Sequence, residues 1–357
     1  YVTADIVGTD KYYGSNSLTI DKIKVKVEGE EVSQIKKEII AITGETAESA
    51  NSKGVPVYET RDGKQEKIGI KYRIKLSNFE KAEESTEDKY LKYSGNTVIN
   101  VESGTLTDTS SNVNVATDLN IGVVDFTRPV WKIQNVTVKS KNIDYSLTES
   151  YVLAEIVVGD RYISSSDLTV NDIEVITGGS TNSNIKKEFI LNGETPIKSG
   201  SYGIPVYENR NGTNTLYGIK YYLKLSNFEE STLQTNKKYY EYSGNVSIKI
   251  KEEVAKDTSD NKSKGATLSL GEVDVIAPKI KLVSATVDTT AKTETIKFEV
   301  TDKYFDANSS LSANSIKVYV DNELAESVTK TLTSEPLMET RTINGRSTSV
   351  QYGIKYT

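Results

Sequence analysis

The chain of 357 residues contains no cysteine, no histidine and only six prolines. Without cysteine it has no disulfides, no thiolate metal site and no cysteine nucleophile. Without histidine it lacks the commonest general base and the commonest transition-metal ligand. Secreted animal proteins of this size usually carry disulfides, so the absence of cysteine favours bacterial export or an intracellular location.

An excess of charge of one sign is also missing. The chain has 44 Lys and Arg against 50 Asp and Glu, which gives a formal net charge of −6. No basic stripe indicates nucleic acid binding, and no basic amphipathic helix indicates a membrane surface. No apolar run is long enough to cross a membrane. We therefore expect no nucleic acid partner and no direct membrane insertion in this part of the chain.

What the chain does contain is a long internal repeat. Val57-Tyr58-Glu59 returns as Val206-Tyr207-Glu208, a shift from 57 to 206, or 149 residues. The same shift relates Ser77-Asn78-Phe79 to Ser226-Asn227-Phe228, Tyr93-Ser94-Gly95-Asn96 to Tyr242-Ser243-Gly244-Asn245, Asp108-Thr109-Ser110 to Asp257-Thr258-Ser259, and Pro129 to Pro278. A third copy carries Tyr352-Gly353-Ile354-Lys355-Tyr356, which matches Tyr217-Gly218-Ile219-Lys220-Tyr221. A period of this length predicts a string of whole domains, because each unit has enough residues to bury its own core.

The repeats predict three domains, which we call repeat 1 (residues 1–127), repeat 2 (128–276) and repeat 3 (277–357). Compared with repeat 2, repeat 1 starts about one strand late, and repeat 3 stops before its Ser-Gly-Asn and Asp-Thr-Ser segments. We therefore expect the chain to be a piece of a longer repeat protein.

Apolar residues within each repeat alternate with polar ones, which is typical of strands with one buried face. In repeat 2 the clearest examples are residues 219–226 and 246–251. Further strands are predicted at 131–138, 152–158, 168–175, 186–191 and 204–207, and only 78–90 and 227–240 favour a short helical turn. Short strands joined by polar turns such as Asn209-Arg210-Asn211-Gly212 predict an all-β antiparallel sandwich, with a barrel as the alternative.

The end of repeat 2 resembles a known family. Strand 246–251 is followed by Asp257-Thr258-Ser259-Asp260-Asn261-Lys262-Ser263, and then by Val273-Asp274 and Pro278. This order is similar to the close of bacterial immunoglobulin-like (Big-type) domains, which occur as tandem repeats in cell-surface proteins. Repeat 1 has the same pattern, although Ser111 and Val113 depart from the usual turn. The resemblance implies tandem immunoglobulin-like β-sandwiches in an elongated array.

An immunoglobulin-like topology also implies a possible calcium site. It brings the B–C loop with Asp160, the F–G turn with Asp257 and Asn261, and the incoming linker with Asp125 to one pole of the domain. Ca²⁺ takes six to eight oxygen ligands from carboxylates, amides and carbonyls.

By the same implication Asp274 and Asp302 form a second, weaker site at the next junction. The alternative is that these residues simply form turns, because Asp and Asn side chains satisfy local backbone groups.

Catalysis is not expected. A Ser or Lys nucleophile or a carboxylate pair needs no histidine, but no such constellation stands out from the surface charge. Whole domains repeated in line are typical of proteins that span a distance or present a surface. We predict a non-catalytic stalk or presentation segment of an extracellular bacterial protein attached to the cell wall or cell surface. Two alternatives stay open: an adhesion module that binds a host protein or glycan, and a subunit that assembles with copies of itself into a surface layer (S-layer) or fibre.

Overall fold

The structure is a computed structural model that describes residues 1–49, 52–79, 95–141, 144, 146–210, 212–228, 238, 244–308, 310–343 and 345–357. Strands hold 57% of the residues and helical turns 3%, and the sheets are antiparallel. This confirms the prediction of a mostly β chain. Across the described ranges no helix is both long and apolar enough to cross a membrane. The predicted helical turns at 78–90 and 227–240 lie almost entirely outside these ranges.

Repeat 1 contains two four-stranded sheets and a short ribbon. Its strands are β1 (Val2–Thr9), β2 (Tyr13–Asn16), β3 (Ile23–Val27), β4 (Glu30–Glu31), β5 (Lys36–Ile40), β6 (Val55–Arg61), β7 (Lys64–Ser77), β8 (Gly95–Val101), β9 (Leu106–Asp108) and β10 (Thr117–Val124). One sheet has the order β1-β7-β5, with β6 also paired to β7, and the other has the order β10-β8-β3-β4. Strand β2 pairs with β9, and a 3-10 turn spans Ile20–Lys22.

Repeat 2 follows the same plan with one more strand at its start. Its strands are β11 (Val130–Lys139), β12 (Tyr151–Gly159), β13 (Ile163–Ser166), β14 (Ile173–Thr177), β15 (Ser180–Thr181), β16 (Lys186–Ile190), β17 (Ile204–Arg210), β18 (Thr213–Ser226), β19 (Gly244–Ile250), β20 (Ala255–Asp257) and β21 (Ala266–Val273). The sheet orders are β11-β12-β18-β16, with β17 also on β18, and β15-β14-β19-β21, while β13 pairs with β20.

Repeat 3 contributes one four-stranded sheet and a small hairpin. Its strands are β22 (Lys279–Asp288), β23 (Thr293–Thr301), β24 (Tyr319–Val320), β25 (Glu323–Leu324), β26 (Ser334–Ile343) and β27 (Arg346–Tyr356). The order β22-β23-β27-β26 matches strands β11, β12, β18 and β17 of repeat 2, and β24 pairs with β25. A 3-10 turn spans Ala313–Ser315.

Strand β18 illustrates why these segments form strands. Its alternate residues Ile219, Tyr221, Leu223 and Leu225 are at most 2% exposed. Lys220 and Lys224 point to the other side and form ion pairs with acidic side chains. Burying one such Ile or Leu contributes roughly 1.5–3 kcal/mol, so a register shift by one residue would expose the whole set.

Repeats 1 and 2 each have a buried apolar cluster of their own. In repeat 2 the cluster joins residues of both sheets, such as Leu223 from one and Val175 and Ile248 from the other. In repeat 1 it likewise joins Ile74 to Ile99. Because two sheets face each other across a shared core, each repeat is sandwich-like.

One predicted strand, 168–175, is interrupted. Residues Val170–Asp172 form a 3-10 turn, and β14 starts only at Ile173. The carboxylate of Asp172 accepts hydrogen bonds from the backbone N–H of Thr169 (3.0 Å) and from its hydroxyl (2.6 Å). This local bonding competes with strand pairing, which is a known property of Asp and Thr side chains.

The outer strands β6, β17 and β26 carry a proline at the same place, Pro56, Pro205 and Pro336. Each of these strands pairs on one side with the long strand that follows it. Proline offers no backbone N–H, so these edges are poor templates for the addition of another strand.

Candidate metal centre at the junction of repeats 1 and 2

Three aspartates from three separate segments meet where repeat 1 joins repeat 2. Asp125 lies in the linker, Asp160 follows β12, and Asp257 ends β20. One carboxylate oxygen of each lies within 4.8 Å of the others. The three residues are 6%, 1% and 2% exposed. Among the residues that the structure describes, no other group of three or more acidic side chains is gathered in this way. We call these residues the aspartate cluster.

Asp160 is held by the start of its loop. Its backbone N–H donates to the carbonyl oxygen of Tyr217 (2.9 Å), and its Oδ1 accepts the N–H of Tyr162 (2.8 Å). Asp10 and Asp302 make the same two contacts in repeats 1 and 3. The sequence pattern Asp-(Lys/Arg)-Tyr therefore builds one loop conformation three times.

Asp257 is fixed by the turn that follows it. Its Oδ1 accepts the backbone N–H groups of Ser259 and Asn261 (both 2.8 Å), and its Oδ2 accepts the side-chain amide of Asn261 (2.8 Å). Asp260 has φ 64°, a left-handed conformation that Asp tolerates better than most residues. The Asn261 amide also donates to the carbonyl oxygen of Asp125 (3.0 Å), so this turn holds the linker.

Thr127, which the sequence analysis did not single out, lies between two of the carboxylates. Its Oγ1 is 2.7 Å from Oδ1 of Asp125 and 2.9 Å from Oδ2 of Asp160. A hydroxyl carries one hydrogen and can donate it to only one of them. A proton on one carboxyl group or a cation beside it would make the other short contact favourable as well.

The electrostatics of the cluster agree with this geometry. Burial, together with the charges of Asp125 and Asp257, raises the pKa of Asp160 to about 6. Burial also raises the pKa of Asp257, against the hydrogen bonds from Asn261, and Asp125 adds to the increase. At neutral pH the cluster therefore places negative charges in a buried environment that disfavours ionised carboxylates.

Repeat 1 shows the same local parts in an exposed setting. Asp108 accepts the N–H groups of Ser110 and Asn112 (both 2.8 Å), as Asp257 does in repeat 2. Here, however, the hydrogen bonds from Asn112 lower the pKa of Asp108. Asp10 is exposed, whereas Asp160 is buried. The turn alone thus stabilises a charged aspartate, and the opposite shift in repeat 2 comes from burial against the linker.

The second junction has fewer of these features. Asp302 is 5% exposed, and burial raises its pKa to about 6, with a further contribution from Asp274. Asp274 itself is exposed, and Ile276 stands where the first junction has Thr127. The charge of Arg341 lowers the pKa of Asp302. The structure thus relates the two predicted residues electrostatically, but Asp274 lacks the burial of Asp125.

Side chains beyond the cluster also cross the junctions. Glu28 of repeat 1 accepts the Tyr162 hydroxyl (3.4 Å) and pairs with Arg161 (3.3 Å). At the second junction, the hydroxyl of Tyr304 donates to Glu272. Sequence comparison between repeats misses this contact, because the acid comes from a different segment each time, Glu28 from the turn after β3 and Glu272 from β21. One sequence signal was available: repeat 1 has Glu28 where repeat 2 has Gly178, and the structure gives both a left-handed φ, 51° and 58°.

An arginine at the same position in each repeat donates a hydrogen bond to the backbone of the loop that carries the aspartate. Arg210 donates to the carbonyl oxygen of Arg161 (2.7 Å) and pairs with Glu208 (2.6 Å). Arg61 and Arg341 make the corresponding contacts in repeats 1 and 3. The recurrence of Glu-x-Arg at the end of β6, β17 and β26 was visible in the sequence and would have identified these residues.

The aspartate cluster fits a hard divalent cation such as Ca²⁺. Every available donor is an oxygen, from three carboxylates and the Thr127 hydroxyl. Two oxygens on one Ca²⁺ lie at most about 5 Å apart, given ligand distances near 2.4 Å, and the cluster meets that limit at 4.8 Å. Oδ1 of Asp160 serves its own turn while Oδ2 faces Thr127, so the turn-forming role and a ligand role are compatible.

The chain was also compared with known proteins. No protein-family model matches it, and no curated protein matches it.

Proposed function

We propose that this chain is an array of immunoglobulin-like β-sandwiches, similar to the Big-type repeats of bacterial cell-surface proteins. Its role is to space and present other parts of an extracellular protein, with no catalysis. A bound Ca²⁺ stiffens the junction between repeats 1 and 2. The observation that carries the proposal is the buried aspartate cluster, because the linker supplies one carboxylate and repeat 2 supplies two.

Three buried carboxylates around one point oppose the docking of the linker as long as they are charged. A divalent cation reverses the sign of that interaction and joins the segments at 2.3–2.6 Å per ligand. The linker then holds one orientation. The Asp302 and Asp274 pair offers fewer ligands, so the second junction binds Ca²⁺ more weakly.

The proposal is tested by measuring the spread of inter-repeat distances. Because the chain has no cysteine, Ser103→Cys and Ser180→Cys place one spin label on each repeat at exposed positions. Pulsed electron spin resonance should give a narrow distance distribution with Ca²⁺ and a broad one with chelator. Asp160→Ala should remove the difference, whereas Asp10→Ala, which alters the same loop in repeat 1, should leave it unchanged. Equal widths with and without Ca²⁺ would refute the stiffening.

Shape is an independent test of the array. Sandwiches joined end to end should give a small-angle scattering profile whose longest dimension is several times the width. A radius of gyration near the roughly 20 Å of a single compact domain of this length would contradict it.

Assembly into a surface layer or fibre has less support at the sheet edges formed by β6, β17 and β26. The outer strands β6, β17 and β26 carry Pro56, Pro205 and Pro336, which cannot donate to an added strand. The adhesion alternative has a specific observation in its favour, a pocket on repeat 1.

A further inference from the structure

Repeat 1 contains a polar network next to β6. Asn16 donates to the Tyr13 hydroxyl (3.1 Å) and to Glu48 (3.5 Å), and it accepts the hydroxyl of Tyr72. Lys67 pairs with Glu48 and lies 4.7 Å from the centre of the Tyr13 ring. We call these five residues the polar network.

Repeat 2 builds the same place from mostly apolar residues. Equivalent backbone pairings relate Tyr13 to Ile163, Glu48 to Ile197 and Lys67 to Leu216. The tyrosine is retained as Tyr221, whose hydroxyl donates to the carbonyl oxygen of Ser166 (3.3 Å).

The fold therefore does not need the polar network, since repeat 2 forms the same sheets without it. A network of charged and polar side chains is often no more stable than an apolar replacement of similar volume. Its presence in one copy and absence from the other points to a role other than folding.

A pocket of about 500 Å³ opens beside the network. Its walls include Glu45, Glu48, Val55, Pro56, Tyr58 and Lys67. Tyr58 is 55% exposed, so its ring is available to a ligand. Glu45 forms an ion pair with Lys71 (2.6 Å), as Glu48 does with Lys67. Each carboxylate of the pocket is therefore compensated by an ammonium group, Glu48 by Lys67 in the wall and Glu45 by Lys71, which lies outside it.

We propose that this pocket of repeat 1 binds a neutral saccharide. A sugar ring has an apolar face of C–H groups, which the Tyr58 ring and Pro56 can cover. Around that face its hydroxyls both donate and accept. Glu45 and Glu48 accept hydrogen bonds, and Lys67 donates them. The pocket volume lies within the usual range for small-ligand sites.

The charge balance and the edge strand argue against other ligands. An anionic or cationic sugar would gain nothing from a rim whose charges already cancel. An extended peptide would have to pair with β6, where Pro56 lacks the backbone donor for strand addition.

The test uses maltose, lactose and di-N-acetylchitobiose as probes, with glucuronic acid and glucosamine as charged comparators. Calorimetry and ligand-detected NMR on the whole chain should show millimolar or tighter binding of at least one neutral disaccharide. Tyr58→Ala should weaken it by about tenfold or more. Tyr207→Ala, the matched tyrosine of repeat 2, should leave it unchanged.

The double variant Glu48→Ile with Lys67→Leu transfers the repeat 2 pair into repeat 1. It should lose binding while melting no lower than wild type, which separates loss of a ligand contact from loss of fold. The proposal is overturned if all three disaccharides fail to bind, if a charged sugar or a peptide binds instead, or if Tyr207→Ala weakens binding as much as Tyr58→Ala. None of these results depends on Ca²⁺, so failure here leaves the proposed function intact.

Discussion

Replacing Asp160 by asparagine should stabilise the protein without Ca²⁺ and remove most of its response to Ca²⁺. Asparagine carries no charge at any pH, so the repulsion within the aspartate cluster falls. Its side-chain oxygen can still accept the N–H of Tyr162, and its amide can donate to the Thr127 hydroxyl. Asp160→Asn therefore keeps the local geometry and changes mainly the charge.

The magnitude follows from the pKa of Asp160, which rises from 3.8 to about 6 on folding. Because the folded state holds the proton more tightly, this group stabilises the protein fully below pH 3.8, and the stabilisation is lost as the pH rises through about 6. Each pKa unit corresponds to 1.36 kcal/mol, so ionisation costs about 3 kcal/mol at about pH 7.5. Metal-free Asp160→Asn should gain up to that amount, and the gain should shrink to about half by about pH 5.

The assay is urea unfolding followed by the fluorescence of Trp131. This is the single tryptophan of the chain, it lies in β11 of repeat 2, and it is 3% exposed. In chelator the variant should unfold at higher urea than wild type. With Ca²⁺ at a hundredfold excess over its Kd, wild type should gain about 2.7 kcal/mol and the variant much less.

Asp10→Asn is the control, because it makes the same change in the exposed loop of repeat 1, and it should alter stability by less than about 0.5 kcal/mol. A metal-free Asp160→Asn protein that is less stable than wild type at neutral pH would refute the argument, since it would show that the charged carboxylate stabilises the junction unaided. A full Ca²⁺ response in the variant would remove Asp160 from the ligand set.

Three further outcomes are expected. Arg210→Ala should lower the free energy of unfolding of repeat 2 by about 2 kcal/mol and weaken Ca²⁺ binding in calorimetry. Arg61→Ala, the same change in repeat 1, should leave Ca²⁺ binding unchanged. Equal effects of the two variants on Ca²⁺ binding would contradict this prediction. Glu272→Gln should weaken the bond to Tyr304 and broaden spin-label distances between repeats 2 and 3, and unchanged widths would show that this contact holds nothing. In chelator at neutral pH, Asp302→Asn should raise the melting temperature of repeat 3, since burial raises the pKa of Asp302 to about 6; a lower melting temperature would contradict it.

Strand positions were largely readable from the sequence, because alternation has a direct physical cause. In β18 every second residue has to face the core, so the pattern survives in any all-β arrangement. The 3-10 turn at Val170–Asp172 was not readable, because Val170 and the apolar residues on either side of the turn, Leu168 and Ile173, fit a strand. The 3-10 turn there is determined by the hydrogen bond between Thr169 and Asp172, a local interaction within an otherwise strand-like sequence.

The candidate site likewise contains residues that the sequence predicts and residues that it does not. Asp125, Asp160 and Asp257 recur with the repeat, so their approach to one pole was a prediction from topology. Thr127 was not predicted as a site residue, because one hydroxyl in a linker forms no pattern and the corresponding residue of the next junction is Ile276. The contact of Glu28 with repeat 2 was not predicted, because contacts across a junction depend on how two domains meet, and internal repetition does not encode that.

The two ends of repeat 2 determine how it would respond to a pulling force. Strand β11 starts at Val130, opposite Gly159 and beside the aspartate cluster, while β21 ends at Val273, opposite Gly244 on the side of repeat 3. Tension through the two linkers therefore runs along the strands, and the hydrogen bonds between β11 and β12 are loaded together in shear. Forced unfolding is governed by the rate of unfolding, not by equilibrium stability. A cation bound by both Asp125 and Asp160 would bear part of the pulling force at the start of β11. The bonds at the junction would then have to break before the sheet unfolds.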